Sequence, residues 1–81
     1  MLGGESRIGR LNIPSVRVFK KVLRQEGFEI QPGLGKGDHE VWAHKEDKSR
    51  YCTLDPGQDP PKRGTFKQML RTAKLSEDLF R

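Results

Sequence analysis

Twice along this chain the apolar residues change their spacing, from a helical period to alternation and back again, and that order leaves few folds open. Pro14-Ser15 reads as a helix start. After it, Val16, Val18, Phe19, Val22 and Leu23 share one arc of a helical wheel, with Arg17, Lys20, Lys21 and Arg24 opposite. Gly27 stands where a helix-ending glycine is expected. Phe28-Glu29-Ile30-Gln31 then alternates as a short strand, and Pro32 stops it. A flexible connection, Gly33 to Gly37, leads to two further strand-like runs, His39 to His44 and Arg50 to Leu54. The polar Lys45 to Ser49 segment between them suits a hairpin loop. Asp55 to Pro61, with three prolines and a glycine, reads as a loop.

The helical period then returns. Thr65 and Gln68 match a capping box, with Thr65 as N-cap. Phe66, Met69, Leu70 and Ala73 share one face, and Lys67, Arg71 and Lys74 another. Ser76-Glu77-Asp78 begins a last turn that carries Leu79 and Phe80. Helix, three strands, helix is the order of an α+β domain in two layers: a three-stranded antiparallel sheet with two helices on one face. The prediction is one domain over residues 13–81, after a flexible, glycine-rich tail over 1–12.

At 81 residues the chain has no room for a separate cofactor domain. Sixteen Lys and Arg against eleven acids give a net charge of +5, which favours a polyanionic partner, nucleic acid before acidic protein. Lys62 to Lys74 alone holds five basic residues and no acid. Such a surface grips phosphates rather than bases, although a basic helix face is also simply well solvated. The single cysteine, Cys52, closes no internal disulfide and reads as an apolar filler. No apolar run approaches a membrane span, and the first residues lack a signal-peptide core. An intracellular, cytoplasmic setting is the expectation.

Gly33, Gly35 and Gly37 resemble a phosphate loop only superficially. Asp38 and His39 follow where a P-loop needs Lys and then Ser or Thr, and a strand follows where a dinucleotide fingerprint needs a helix. The glycines instead permit tight turning or close approach of a phosphate to bare amides. His39 and His44 lie five apart in one strand and so point to opposite faces, which argues against a shared metal site. His39 opens its strand just after a glycine turn, where its ring can reach a bound backbone. Trp42 and Tyr51 are candidates for base stacking, with packing as the alternative. Asp55 and Asp59 read as turn formers. No serine-nucleophile motif is present.

Gly37-Asp38-His39 at a strand start, the hairpin, the proline-rich turn and Lys62-Arg63-Gly64-Thr65-Phe66-Lys67-Gln68-Met69-Leu70-Arg71-Thr72-Ala73 follow one another in a familiar order. From about Leu11 to Arg81 the chain resembles the HicA, or YcfA-like, toxins of toxin–antitoxin pairs. That family has a glycine-serine-histidine strand start and a later Gly-Thr-Leu-(Lys/Arg)-x-Ile-Leu-(Lys/Arg)-x-Ala-Gly helix. The resemblance implies a double-stranded-RNA-binding-like α-β-β-β-α fold, cleavage of mRNA, and neutralisation by a HicB antitoxin. It also implies that His39 is the catalytic histidine. Two departures from the pattern matter for the site. Asp38 replaces the motif serine, and Leu54-Asp55-Pro56 stands where many members carry a histidine beside a proline.

The resulting expectation is an endoribonuclease that needs no metal or cofactor. His39 acts as general base or acid, Lys36 with the Gly35 and Gly37 amides stabilises phosphate charge, and Lys62, Arg63, Lys67 and Arg71 hold the RNA backbone. Two alternatives stand beside it: a non-catalytic RNA-binding module of the same fold, and an interaction subunit whose basic helices dock an acidic protein.

Overall fold

A computed structural model describes residues 11–81. Helix α1 (Val16–Gln25) is held at its start from two directions. Ser15 is the N-cap, and its Oγ accepts from the Val18 N–H at 3.3 Å. The Val16 N–H donates to Asp59 Oδ1 at 2.9 Å. Asp59 therefore does more than form a turn: it ties the proline-rich loop to the positive end of α1, where a carboxylate is favoured. At the other end Gly27 adopts φ +93°, and a Cβ there would lie 2.8 Å from His44 Nε2. Both the conformation and the close approach call for glycine.

Of the arc predicted to be apolar, Val16, Phe19 and Leu23 are buried and Val22 is partly so. Val18 is 48% exposed. It sits at the far edge of the arc, beyond the width that the sheet covers.

Strands β1 (Phe28–Ile30), β2 (Glu40–His44) and β3 (Tyr51–Leu54) form an antiparallel sheet in the order β1-β2-β3. Each is slightly shorter than predicted, although Gln31 still donates to the Val41 carbonyl at 2.7 Å and His44 to that of Arg50 at 2.9 Å. Trp42 pairs with Ile30 on one side and Cys52 on the other, so these three share a face. Phe28, Trp42, Cys52 and Leu54 are buried on that inner face with the apolar sides of both helices. Burial pushes the Cys52 thiol up to about 12, as suits an inert filler. Val41, Tyr51 and Thr53 occupy the outer face.

Helix α2 (Arg63–Ala73) starts earlier than its capping box predicted. Lys62 is the N-cap, with no side-chain bond, and the first turn closes when the Phe66 N–H meets the Lys62 carbonyl at 2.8 Å. Thr65 is thus already helical, and Gln68 Oε1 accepts from Arg71 instead of reaching back. Pro60-Pro61 delivers the chain extended up to Lys62, and nothing in Arg63-Gly64 prevents the turn from closing at once. Phe66, Met69, Leu70 and Ala73 are buried as predicted.

Ser76 Oγ caps a short 3₁₀ turn, Glu77–Phe80, which returns Phe80 to the core. Its ring lies edge-on to Phe66 at 5.0 Å and Phe19 at 5.8 Å, and those two meet at 5.3 Å. Such pairs add about 0.5–1.5 kcal/mol each beyond burial. Of the tail expected over 1–12, positions 1–10 lie outside the described residues. Leu11 is buried, and the Asn12 N–H donates to the Phe80 carbonyl at 2.6 Å, so these two belong to the packed domain. Among the described residues no helix is long and apolar enough to cross a membrane.

Candidate active site

The loop from Pro32 to Asp38 is shaped by the backbone of His39. A Cβ on Gly35 would lie 1.9 Å from the His39 carbonyl oxygen, so only glycine fits there. The His39 N–H donates to the Lys36 carbonyl at 3.0 Å and closes the turn. Gly37 has φ +59° and open space around its α-carbon. The loop is folded down onto the start of β2, bringing Lys36 beside His39. Together with Leu34, Gly35, Val41 and Thr53 they line a cleft of about 450 Å³ on the outer face of the sheet.

His44 faces the other way, as its spacing predicts. Its ring is edge-on to Phe28 at 5.3 Å, and its Nδ1 accepts from the Glu46 N–H at 3.1 Å. It is a packing residue. His39 is half exposed, and its Nε2 lies 3.8 Å from Asp55 Oδ2. The other carboxylate oxygen of Asp55 accepts from the Gly57 N–H at 2.9 Å. Asp55 thus forms the turn predicted for it and also presents a negative charge to His39. The hairpin register already contains this pairing. Glu40 opposes Leu54, so one step further His39 opposes Asp55. Counting outward from the Lys45–Ser49 loop would have found it; local turn chemistry alone did not.

The basic residues divide. On α1, Lys20 pairs with Glu40 at 3.3 Å, and the Arg24 guanidinium lies 5.2 Å above the Trp42 ring. Glu40 in turn accepts from the Trp42 indole N–H at 3.1 Å. Half of that basic arc therefore serves the fold, leaving Arg17 and Lys21 exposed. Lys62 and Arg63 are exposed at the start of α2, next to the loop that carries Asp55. Lys67 and Arg71 share no cavity with His39. Thr65, Gln68 and Thr72 form a neutral stripe, with Arg71 at its border and Lys67 on the flank beyond.

That stripe, with Gly64 and Met69, faces Tyr51 and Thr53 across a second cleft of about 450 Å³. Thr53 lines both clefts. The two aromatic candidates part here: Trp42 is 2% exposed in the core, whereas Tyr51 is 44% exposed and lines the second cleft. Asp38 is exposed and makes no ion pair among the described residues. Neither do three His, Cys, Asp or Glu side chains converge there as a metal site.

The arrangement offers a proton-transfer group backed by a carboxylate, and a cation in the same cleft. A family model described as HicA toxin of bacterial toxin–antitoxin matches residues 16–75, and so spans both helices and the whole sheet. No curated protein and no solved structure matches the chain.

Proposed function

The chain belongs to the HicA toxin family of bacterial toxin–antitoxin systems, and from that premise we propose that it is an endoribonuclease toxin whose proton-transfer residue is His39. The observation that carries this reading is the cleft in which His39 stands beside Lys36 with Asp55 Oδ2 3.8 Å from its Nε2. RNA supplies its own nucleophile. The 2′-oxygen attacks phosphorus while its proton passes to the imidazole, and the P–O5′ bond breaks. The leaving 5′-oxygen takes up a proton from water, the imidazolium returns its proton to the hydroxide so formed, and the products are a 2′,3′-cyclic phosphate and a 5′-hydroxyl end.

Lys36 stabilises the charge that builds on the non-bridging oxygens, with the Gly35 and Gly37 amides nearby. The Asp55 carboxylate, 3.8 Å from Nε2, faces the ring that receives the proton. Lys62 and Arg63 hold the backbone at the near end of α2, with Lys67 and Arg71 farther along it. A HicB-like antitoxin is the partner that silences the activity, and no metal enters the scheme.

Incubation of a labelled mRNA in EDTA with the parent chain and with His39→Ala tests this. The parent is expected to cut, and the variant to cut about 10²–10⁴-fold more slowly with RNA affinity retained. Equal cleavage by both would remove His39 from the chemistry. Asp38, exposed next to His39, favours a second reading, an RNA-binding module without cleavage. Binding with no product from either protein would establish that reading, and Asp38→Ser would be the change to restore cutting.

A further inference from the structure

The cleft between β3 and α2 has a chemical character unlike the His39 cleft that it adjoins. Its lining carries no charge: Tyr51, Thr53, Gly64, Thr65, Gln68, Met69 and Thr72. Tyr51 is 44% exposed, and its cross-strand partner is Ala43, too small to cover a ring. The polar groups are sorted into donors and acceptors. Arginine only donates, so its bond from Nη1 to Gln68 Oε1 at 3.2 Å fixes the amide orientation. The Gln68 NH₂ is left without a partner among the described residues. Thr72 donates its hydroxyl proton to the Met69 carbonyl at 3.2 Å and keeps only acceptor capacity, while the Thr65 hydroxyl is uncommitted among the described residues.

An exposed ring face, one free amide donor, one acceptor and one rotatable hydroxyl are what an unpaired nucleobase requires: a surface to stack on and partners for its edge. The volume, about 450 Å³, lies in the roughly 300–1,000 Å³ range of small-ligand sites. Thr53 joins this cleft to that of His39, and Arg71 borders it, where the phosphate of a seated nucleotide would lie. No acidic residue lines either cleft, so neither lining repels the phosphates that flank a seated base.

We infer that the β3–α2 cleft is a nucleobase subsite, in which Tyr51 stacks an unpaired base next to the phosphate held at His39 and Gln68 selects among bases. This rests on the RNA-cleaving reading above, and makes its substrate single-stranded at the cut. A paired base cannot leave its stack to reach Tyr51 without breaking a base pair.

The test is fluorescence anisotropy of short fluorescein-labelled oligoribonucleotides of differing base composition, single-stranded and as perfect duplexes, with cleavage rates followed in parallel. The proteins are the parent, Tyr51→Phe, Tyr51→Ala, Tyr51→Leu and Gln68→Ala. Tyr51→Ala is expected to weaken single-strand binding by about 5- to 150-fold, the range for one stacked base, and Tyr51→Phe to retain it. Tyr51→Leu keeps apolar bulk without a ring, so a loss shared with Tyr51→Ala reports stacking rather than misfolding. Gln68→Ala is expected to level the preference among bases. Equal binding by parent, Tyr51→Ala and Tyr51→Leu would overturn the subsite while a cutting parent leaves the nuclease standing. A parent that neither binds nor cuts RNA would overturn both. Tyr51→Ala that binds RNA normally but loses a HicB-like antitoxin would assign the cleft to protein instead.

Discussion

At the scale of single residues, the candidate site is a question of which side chain faces which. Asp55 has two tasks that one substitution separates. Asparagine retains an Oδ1 to accept from the Gly57 N–H and removes only the charge that faces His39. In the proposed mechanism Asp55→Asn is expected to lower kcat about tenfold, the effect of roughly 1.4 kcal/mol on the barrier. KM and Tm should stay unchanged. A kcat equal to that of the parent would leave Asp55 as a turn residue only. His39 itself was legible in the sequence from its place after a glycine turn and from the family motif. Asp55 shows only when the hairpin register is counted outward from the Lys45–Ser49 loop to the 39–55 pair, and its own turn chemistry gives no sign of it. Tyr51 was legible as an aromatic, but its exposure depends on the face the register assigns to it.

Among the elements, α2 shows where local rules stop. Its buried face follows directly from periodicity, since side chains three and four apart stack on one side of any helix. Its start does not: the two prolines ahead of it set the launching geometry, and the Thr65 capping box goes unused. At its end Lys74 adopts φ +57°, a left-handed conformation that glycine occupies without penalty, and the family helix motif ends in glycine at this position. The last carbonyls are served by Arg50, whose Nε donates to the Ala73 oxygen at 3.0 Å and Nη2 to that of Lys74 at 3.5 Å. A cation at a helix C-terminus is doubly favoured there. Lys74→Gly is expected to raise unfolding stability by about 0.5–1 kcal/mol, strain relief exceeding the added chain entropy. Urea denaturation would measure it, and a lower midpoint would show that the lysine contributes more than its backbone loses.

For the molecule as a whole, the described chain is closed at Phe80. That residue packs against one phenylalanine from each helix, and its carbonyl holds Asn12, so both ends of the described chain join at one point. Phe80→Ala is expected to cost about 3–5 kcal/mol, a large share of the stability of a domain this small. Thermal unfolding would show it as a Tm lower by well over ten degrees; a shift of a few degrees would mean that the core closes without it. Sequence alone determined the order of elements, the buried sides of both helices and the opposite facing of His39 and His44. All of these follow from periods of 3.6 and 2, which are properties of a few neighbouring residues. Tertiary structure decided the rest. It brought the Asp55 carboxylate to 3.8 Å from His39 Nε2, committed Lys20 and Arg24 to Glu40 and Trp42, gave Asp59 to the start of α1, and joined two clefts at Thr53. Each of these depends on atoms far apart in the chain, whose distance is set only when the sheet register and the helix docking are satisfied together.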